Sequence, residues 1–242
     1  MSLTVPKNEV TENAEVAATP EVAVNAIPIR PELLLGISSY QDPPSEDEEI
    51  SLVDRFKGSC EVCGVALTSD MRHSHLHKKL WYNSCGMCYF AENLDGIPSF
   101  KKGSIIYFPH MSQARLNSVL RAIWSVESLN DIGDMNDEYN VMSATFDELN
   151  AMIEGQINIT TSYFDFSDPD ILSSLLNLLP PEDYEQRWKL LRSFRWLPDR
   201  SVFEDEMVYW AQKSFHHLHP EKINSNITTF MTNYVPAFNI RE

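Results

Sequence analysis

Positive charge is scarce in this chain: 19 Lys and Arg stand against 35 Asp and Glu over 242 residues, a formal charge of −16. A surface that acidic excludes a protein that coats nucleic acid or anionic lipid with its whole exterior. Cysteine is also scarce, and four cannot staple a secreted scaffold of this length. Glycine is rarer than usual, with 8 residues, and none falls in a phosphate-cradling loop or a Gly-x-Ser-x-Gly elbow. Long apolar runs are missing. The longest uncharged stretch, 223–240, is interrupted by Asn, Thr, Ser and Pro, and makes a poor membrane span. Residues 1–20 hold three Glu and no apolar segment of the secretory kind. The expectation is a soluble intracellular protein, with one main domain and tails.

The charge that is there is unevenly placed. The first fifty residues and the half after Arg121–Ala122 are strongly acidic, while residues 55–122 carry a net of about +5 and contain all four cysteines. Residues 1–31 read as a disordered acidic leader, since no period is sustained there. Glu32–Tyr40 reads as a short first strand. Ser45 with Glu48 three residues on predicts a capping box opening a helix to about Phe56. Ser104–Phe108 predicts a strand that stops at Pro109.

Beyond Pro109 the pattern is helical. Ser112 can cap a helix with Leu116, Val119, Leu120, Ile123 and Trp124 on one face. Ser143 or Thr145 can cap a second, with Phe146, Leu149, Met152 and Ile153 inward. Asp168-Pro169 reads as N-cap and N1 of a helix over 170–179. Glu182–Phe194 follows, with Tyr184, Trp188, Leu190 and Leu191 inward. Arg195–Arg200 then joins it to Val202–His217, whose core residues are Phe203, Met207, Trp210 and Phe215. His216, His217 and His219 lie at that helix's C-terminus, where imidazolium suits the dipole.

Cys60-x2-Cys63-Gly64 and Cys85-x2-Cys88 are two pairs separated by 21 residues. Each pair can present two thiolates on one tight turn, so together they predict a tetrahedral four-thiolate Zn²⁺ site. Gly64 suits the positive φ of a zinc knuckle. Arg55, Lys57, Lys78 and Lys79 are expected to offset the site's negative charge. A closed four-thiolate site leaves no position for water, so one structural zinc is expected. Knuckle, hairpin and a helix begun by the second pair make a treble-clef-like arrangement.

Between the pairs runs His73-Ser-His75-Leu-His77, with three imidazoles on one face if it is a strand. Two readings stay open. One is a second metal site or general base, as in treble-clef nucleases of the HNH type, with His75 and His77 as the catalytic candidates. The other is a polar, solvated strand face. Asn83 is available for an HNH-like pattern, but no acidic residue stands in the stretch itself. The many large aromatics, Trp81, Tyr82, Tyr89, Phe90, Trp188, Trp196, Tyr209 and Trp210, are core residues or interface anchors.

The four-cysteine module with Tyr89-Phe90, Gly103–Pro109 (GSIIYFP), Ser112–Asn117 (SQARLN), Ser167–Pro169, Arg195–Arg200 (RWLPDR), Phe203 and Trp210-Ala211 resembles the IcmJ (DotN) family of Dot/Icm type IVB secretion systems. The likeness spans roughly Val53 to Phe215 and is weakest over 126–165. It implies a non-enzymatic bacterial adaptor, cytoplasmic and peripheral to the inner membrane through its complex. Family members dock on the C-terminal extension of the coupling ATPase and support effector export. They resemble HNH nucleases in the zinc module without acting as nucleases. By carry-over Cys60, Cys63, Cys85 and Cys88 are the zinc ligands. This chain departs from the pattern in its acidic leader, a shorter gap between the cysteine pairs, and the HSHLH stretch, so an HNH-like nuclease or nucleic-acid-binding protein is the alternative.

The expected fold is α+β and mainly helical: a β/zinc-binding treble-clef-like module over 32–110, an α-helical region over 111–219 packed on it as one domain, and a C-terminal extension over 220–242. The ATPase tail and other coupling-complex subunits are the expected partners. Nucleic acid and direct membrane insertion are not expected.

Overall fold

A computed structural model describes residues 33–38, 43–77, 80–98, 102–129 and 137–215. The acidic leader, the C-terminal extension, the His216–His219 cluster and Lys78-Lys79 lie outside the described residues. The fold is α+β and mainly helical, with two small antiparallel sheets.

Helix α1 spans Glu46–Asp54 and opens on the expected capping box. The Ser45 hydroxyl accepts the Glu48 N–H, and the Glu48 carboxylate accepts the Ser45 N–H at 2.8 Å. A knuckle around Cys60–Val65 follows, then the hairpin β1 (His73–His77) and β2 (Leu80–Ser84), then α2 (Gly86–Glu92). This is the order expected of a treble-clef-like module. Strand β3 is Ser104–Tyr107. Ser112 caps α3 (Gln113–Leu129) through its hydroxyl to the Arg115 N–H, and the five expected apolar positions of α3 are all buried.

Helix α4 runs unbroken over Asp137–Phe164, so Ser143 and Thr145 lie inside it rather than capping it. Thr145 returns its hydroxyl to the Val141 carbonyl, which satisfies the side chain without ending the helix. Asp165, at φ 60°, terminates α4. Helix α5 (Pro169–Asn177) carries the expected Asp168 cap on the Asp170 N–H at 2.8 Å.

The single helix expected over 182–194 is replaced by three pieces: α6 (Pro181–Glu185), α7 (Trp188–Leu191) and strand β4 (Phe194–Leu197). Trp188 and Leu190 are exposed, not inward. The segment instead serves Leu33–Ile37, which forms no strand. The Tyr184 hydroxyl accepts the Ile37 N–H at 2.9 Å, Arg187 Nε donates to the Leu35 carbonyl at 3.0 Å, and the Glu92 carboxylate accepts the Leu34 N–H at 2.9 Å. Side chains thus satisfy a buried backbone that a ladder would otherwise have to satisfy.

Arg195–Leu197, expected in a helix-to-helix joint, pairs with β3 in the register Ile105↔Trp196. The other edge of β3 is closed by the Ser167 carbonyl, which accepts the Ile105 N–H, and by Thr160 of α4, whose hydroxyl accepts the Tyr107 N–H at 2.7 Å. Gly103 turns into β3 at φ 68°, and a Cβ there would sit 2.1 Å from the Leu197 carbonyl oxygen. Helix α8 (Glu204–Lys213) packs on α3. Phe203, Met207, Trp210 and Phe215 are buried as expected, and Phe203 lies among Trp124, Trp196 and Trp210. Buried residues from Leu33 to Phe215 share one apolar cluster.

Candidate metal centre

The two cysteine pairs converge because two local motifs face each other. In the knuckle, Gly64 adopts φ 81° and its N–H donates to the Cys60 carbonyl at 2.8 Å, while the Cys60 N–H donates to Val65 O at 2.9 Å. The turn brings the Cys63 N–H to Cys60 Sγ at 3.4 Å. Cys85 is the N-cap of α2, and the Tyr89 N–H closes the first turn on the Cys85 carbonyl at 2.9 Å, which places Cys88 beside it. The four Sγ atoms all lie within 4.8 Å of one another, and all four thiols are free. Cys63 Sγ and Cys85 Sγ are 3.7 Å apart. Zn–S bonds of about 2.3 Å in a tetrahedron give S–S edges of about 3.8 Å, so the donor set fits that geometry.

The charge partner of the cluster is Arg121, in the middle of α3 and 1% exposed. Its guanidinium donates to Cys63 Sγ at 3.0 Å and Cys85 Sγ at 3.5 Å, and lies 5.3 Å from the Trp210 ring centroid. Burial opposes its charge, but the surrounding thiolates outweigh burial and push its pKa above the ordinary value. Hydrogen bonding to Cys60, Cys85 and Cys88, aided by Arg121, holds the Cys63 thiol well below its usual range, whereas burial pushes Cys85 and Cys88 well above it. Four thiolate charges cannot build up in such a site without cations, and a bound metal together with the one buried guanidinium would supply them. Arg55, expected to help here, turns to Glu61 and the Trp81 carbonyl instead.

Arg121 belongs to a polar row that the sequence displays at intervals of four: Gln113, Asn117, Arg121 and Ser125, all buried on α3. Gln113 donates to the Trp196 carbonyl and accepts the Trp196 N–H, both at 2.8 Å, and also donates to Asn117 Oδ1 at 2.8 Å. Asn117 in turn reaches Cys88 Sγ at 3.7 Å. The spacing was the available signal, since residues four apart share a helix face.

The HSHLH stretch is a strand, but its face is not solvated. His75 is fully buried and His77 is 7% exposed. They meet Glu92, the last residue of α2: His77 Nδ1 lies 3.0 Å from Oε1 and His75 Nε2 3.3 Å from Oε2. Burial alone would raise the Glu92 pKa, but the two imidazoles overcome it and hold the carboxyl at about 2. Glu92 escaped sequence reading because it is distant from the histidines in the chain, although its place four residues after Cys88 puts it on the inward face of α2. His73 stacks on Tyr89 at 4.7 Å. Asn83 is fully occupied: it donates to the Leu52 carbonyl at 3.0 Å, accepts from Arg72 at 3.1 Å, and its N–H binds Glu61 at 2.5 Å.

No protein-family model matches the chain. Among curated proteins, the Type 4 apparatus protein DotN of Legionella pneumophila subsp. pneumophila strain Philadelphia 1 is 26% identical over 184 residues, 72% of this chain and 81% of that protein. This chain is similar to DotN. The likeness bears out the IcmJ (DotN) resemblance carried by the sequence motifs. Among the described residues, no helix is long and apolar enough to cross a membrane.

Proposed function

We propose that this chain is a non-enzymatic, zinc-stabilised adaptor subunit of a type IVB secretion coupling complex. In this reading it docks on the C-terminal extension of the coupling ATPase, in the cytoplasm at the inner membrane, and supports export of effector proteins. The observation that carries the proposal is the similarity to DotN across 72% of the chain. The chemistry of the cysteine cluster agrees with it. Cys60, Cys63, Cys85 and Cys88 would hold one Zn²⁺ with all four positions filled by sulfur, a site that stabilises a fold and activates no water. The module over 32–110 and the helical region over 111–219 act as one domain, which the shared buried cluster supports.

Burial of His75 and His77 against Glu92 favours this reading over a nuclease, because neither imidazole is open to a phosphodiester. Co-expression with the C-terminal tail of the cognate coupling ATPase is expected to yield a complex that survives size-exclusion chromatography. Separate elution of the two at micromolar concentration would sink the proposal. Nicking of plasmid DNA with added Mg²⁺ or Mn²⁺, abolished in His75→Ala, would favour the nuclease instead.

A further inference from the structure

We propose that His75, His77 and Glu92 form a second metal site, distinct from the four cysteines, that takes a first-row divalent cation, with Zn²⁺ the best match.

The residues come from two elements that the fold holds together. His75 and His77 are two apart on β1 and therefore on one face, and Glu92 projects from the end of α2, which packs on that face. All three are buried, and one donor atom from each lies within 4.8 Å of the others. The spacings between donors are those of ligands around a common centre. Zn–N and Zn–O bonds of about 2.0–2.1 Å in a tetrahedron give edges of about 3.3–3.4 Å. Taken on the one oxygen Oε2 of Glu92, the His75 Nε2 edge is 3.3 Å and the His77 Nδ1 edge is 3.3 Å.

The directions of the contacts point the same way. His75 Nε2 is within 3.3 Å of a carboxylate oxygen, yet it makes no hydrogen bond, as its lone pair and the carboxylate would behave if both faced a third body between them. Glu92 is 2% exposed, and a buried carboxylate facing two imidazoles requires positive charge nearby. A divalent ion supplies that charge. Two imidazole nitrogens and one carboxylate oxygen select zinc and its first-row neighbours over Mg²⁺ or Ca²⁺, which favour all-oxygen sets. The Leu34 N–H, donating to Glu92 Oε1 at 2.9 Å, is the kind of outer hydrogen bond that orients a ligating carboxylate. Three protein ligands leave a fourth position for water. Closed in as it is, the ion would pin the hairpin to α2.

The inference does not depend on the adaptor role or on the cysteine site. It is tested on the purified full chain equilibrated with zinc held at a fixed free concentration by a metal buffer. Two zinc per chain are expected. The zinc X-ray absorption spectrum is expected to show a sulfur shell near 2.3 Å and a nitrogen/oxygen shell near 2.0–2.1 Å in about equal weight, with imidazole scattering. Glu92→Gln and His77→Gln are expected to lose one zinc and the nitrogen/oxygen shell while keeping the sulfur shell, which shows that the variants have folded. Replacing His216, His217 and His219 together by Ala is expected to leave both zinc ions in place. One zinc per chain with a sulfur-only spectrum in the wild type overturns the second site and leaves the four-thiolate assignment standing. A second zinc that disappears with the His216–His219 cluster, and not with Glu92→Gln, overturns it equally.

Discussion

Replacing Arg121 by Met keeps most of the side-chain volume on α3 and removes the guanidinium that contacts Cys63 Sγ at 3.0 Å and Cys85 Sγ at 3.5 Å. What remains is a buried cluster of four thiols, negative even with the proposed Zn²⁺ bound, without the guanidinium that faced it. Hydrogen bonds to charged groups contribute roughly 1.5–3 kcal/mol each, and removing one partner of a buried pair costs about 3–5 kcal/mol because the other stays uncompensated. Since the methionine stem still packs on Trp210, the loss is electrostatic rather than a cavity, and about 3–5 kcal/mol of destabilisation is expected. For a chain of this length, that is a fall in Tm of roughly 6–20 °C. Urea unfolding followed by tryptophan fluorescence would measure it, with both proteins at the same buffered free zinc, because bound metal adds to apparent stability by mass action. Faster release of zinc to a chelator is expected in the same variant. Arg121→Lys, which keeps the charge and loses the fork, is expected to fall between the two. A Met variant within about 1 kcal/mol of the wild type, with unchanged zinc release, would refute the claim that Arg121 balances the cluster.

Three further expectations follow from other parts of the fold. Gln113→Leu strands both the N–H and the carbonyl of Trp196 in the interior, and a loss of about 2–5 kcal/mol is expected in urea unfolding; a change under 0.5 kcal/mol would contradict the pairing. Gly103→Ala combines φ 68° with a Cβ 2.1 Å from the Leu197 carbonyl, and is expected to cost more than about 2 kcal/mol and to loosen the β3–β4 seam, read by amide exchange at Ile106 and Arg195, since the Ile105 and Trp196 N–H groups are bonded to Ser167 and Gln113 instead. Hydrogen bonding from Ser74, then from Arg72, holds the Glu49 carboxyl below the usual carboxylate range, so the tie between α1 and β1 is present above the ordinary carboxylate pKa and lost as pH falls through the lowered one. Glu49→Gln is expected to flatten that acid limb of the stability curve, and an unchanged curve would rule Glu49 out as a contributor.

Much of the site was legible in the sequence because its signals are local. The paired C-x2-C spacing, Gly64 at positive φ, and the Ser45 and Asp168 caps each need only a few neighbouring residues, and each is found as expected. The failures lie where distant segments decide. Arg195–Leu197 forms a strand only because β3, some ninety residues earlier, offers an edge. Trp188 and Leu190 fit a helical period but face outward, because Tyr184 and Arg187 are committed to the backbone of residues 35–37. Leu33–Ile37 looked like a strand from its apolar run, and side chains rather than a neighbouring strand answer its polar groups. Glu92 and Arg121 are the clearest misses. Both are charged residues on otherwise buried helix faces, and the bare expectation that charges face water hides them.

The buried row on α3 also bears on how the molecule could err. An apolar helix face is tolerant: Leu, Val and Ile can trade places, and a slide of one turn, about 5.4 Å, would meet similar surroundings. Gln113, Asn117 and Arg121 remove that tolerance, because each has a different kind of partner at its own level: a strand backbone, a neighbouring amide with a thiol, and a thiol pair. A slide of α3 by one turn would put an amide where the guanidinium belongs and leave the Trp196 backbone unanswered. The helix therefore has one admissible docking position, and the cysteine cluster and the β3–β4 seam are assembled correctly together or not at all.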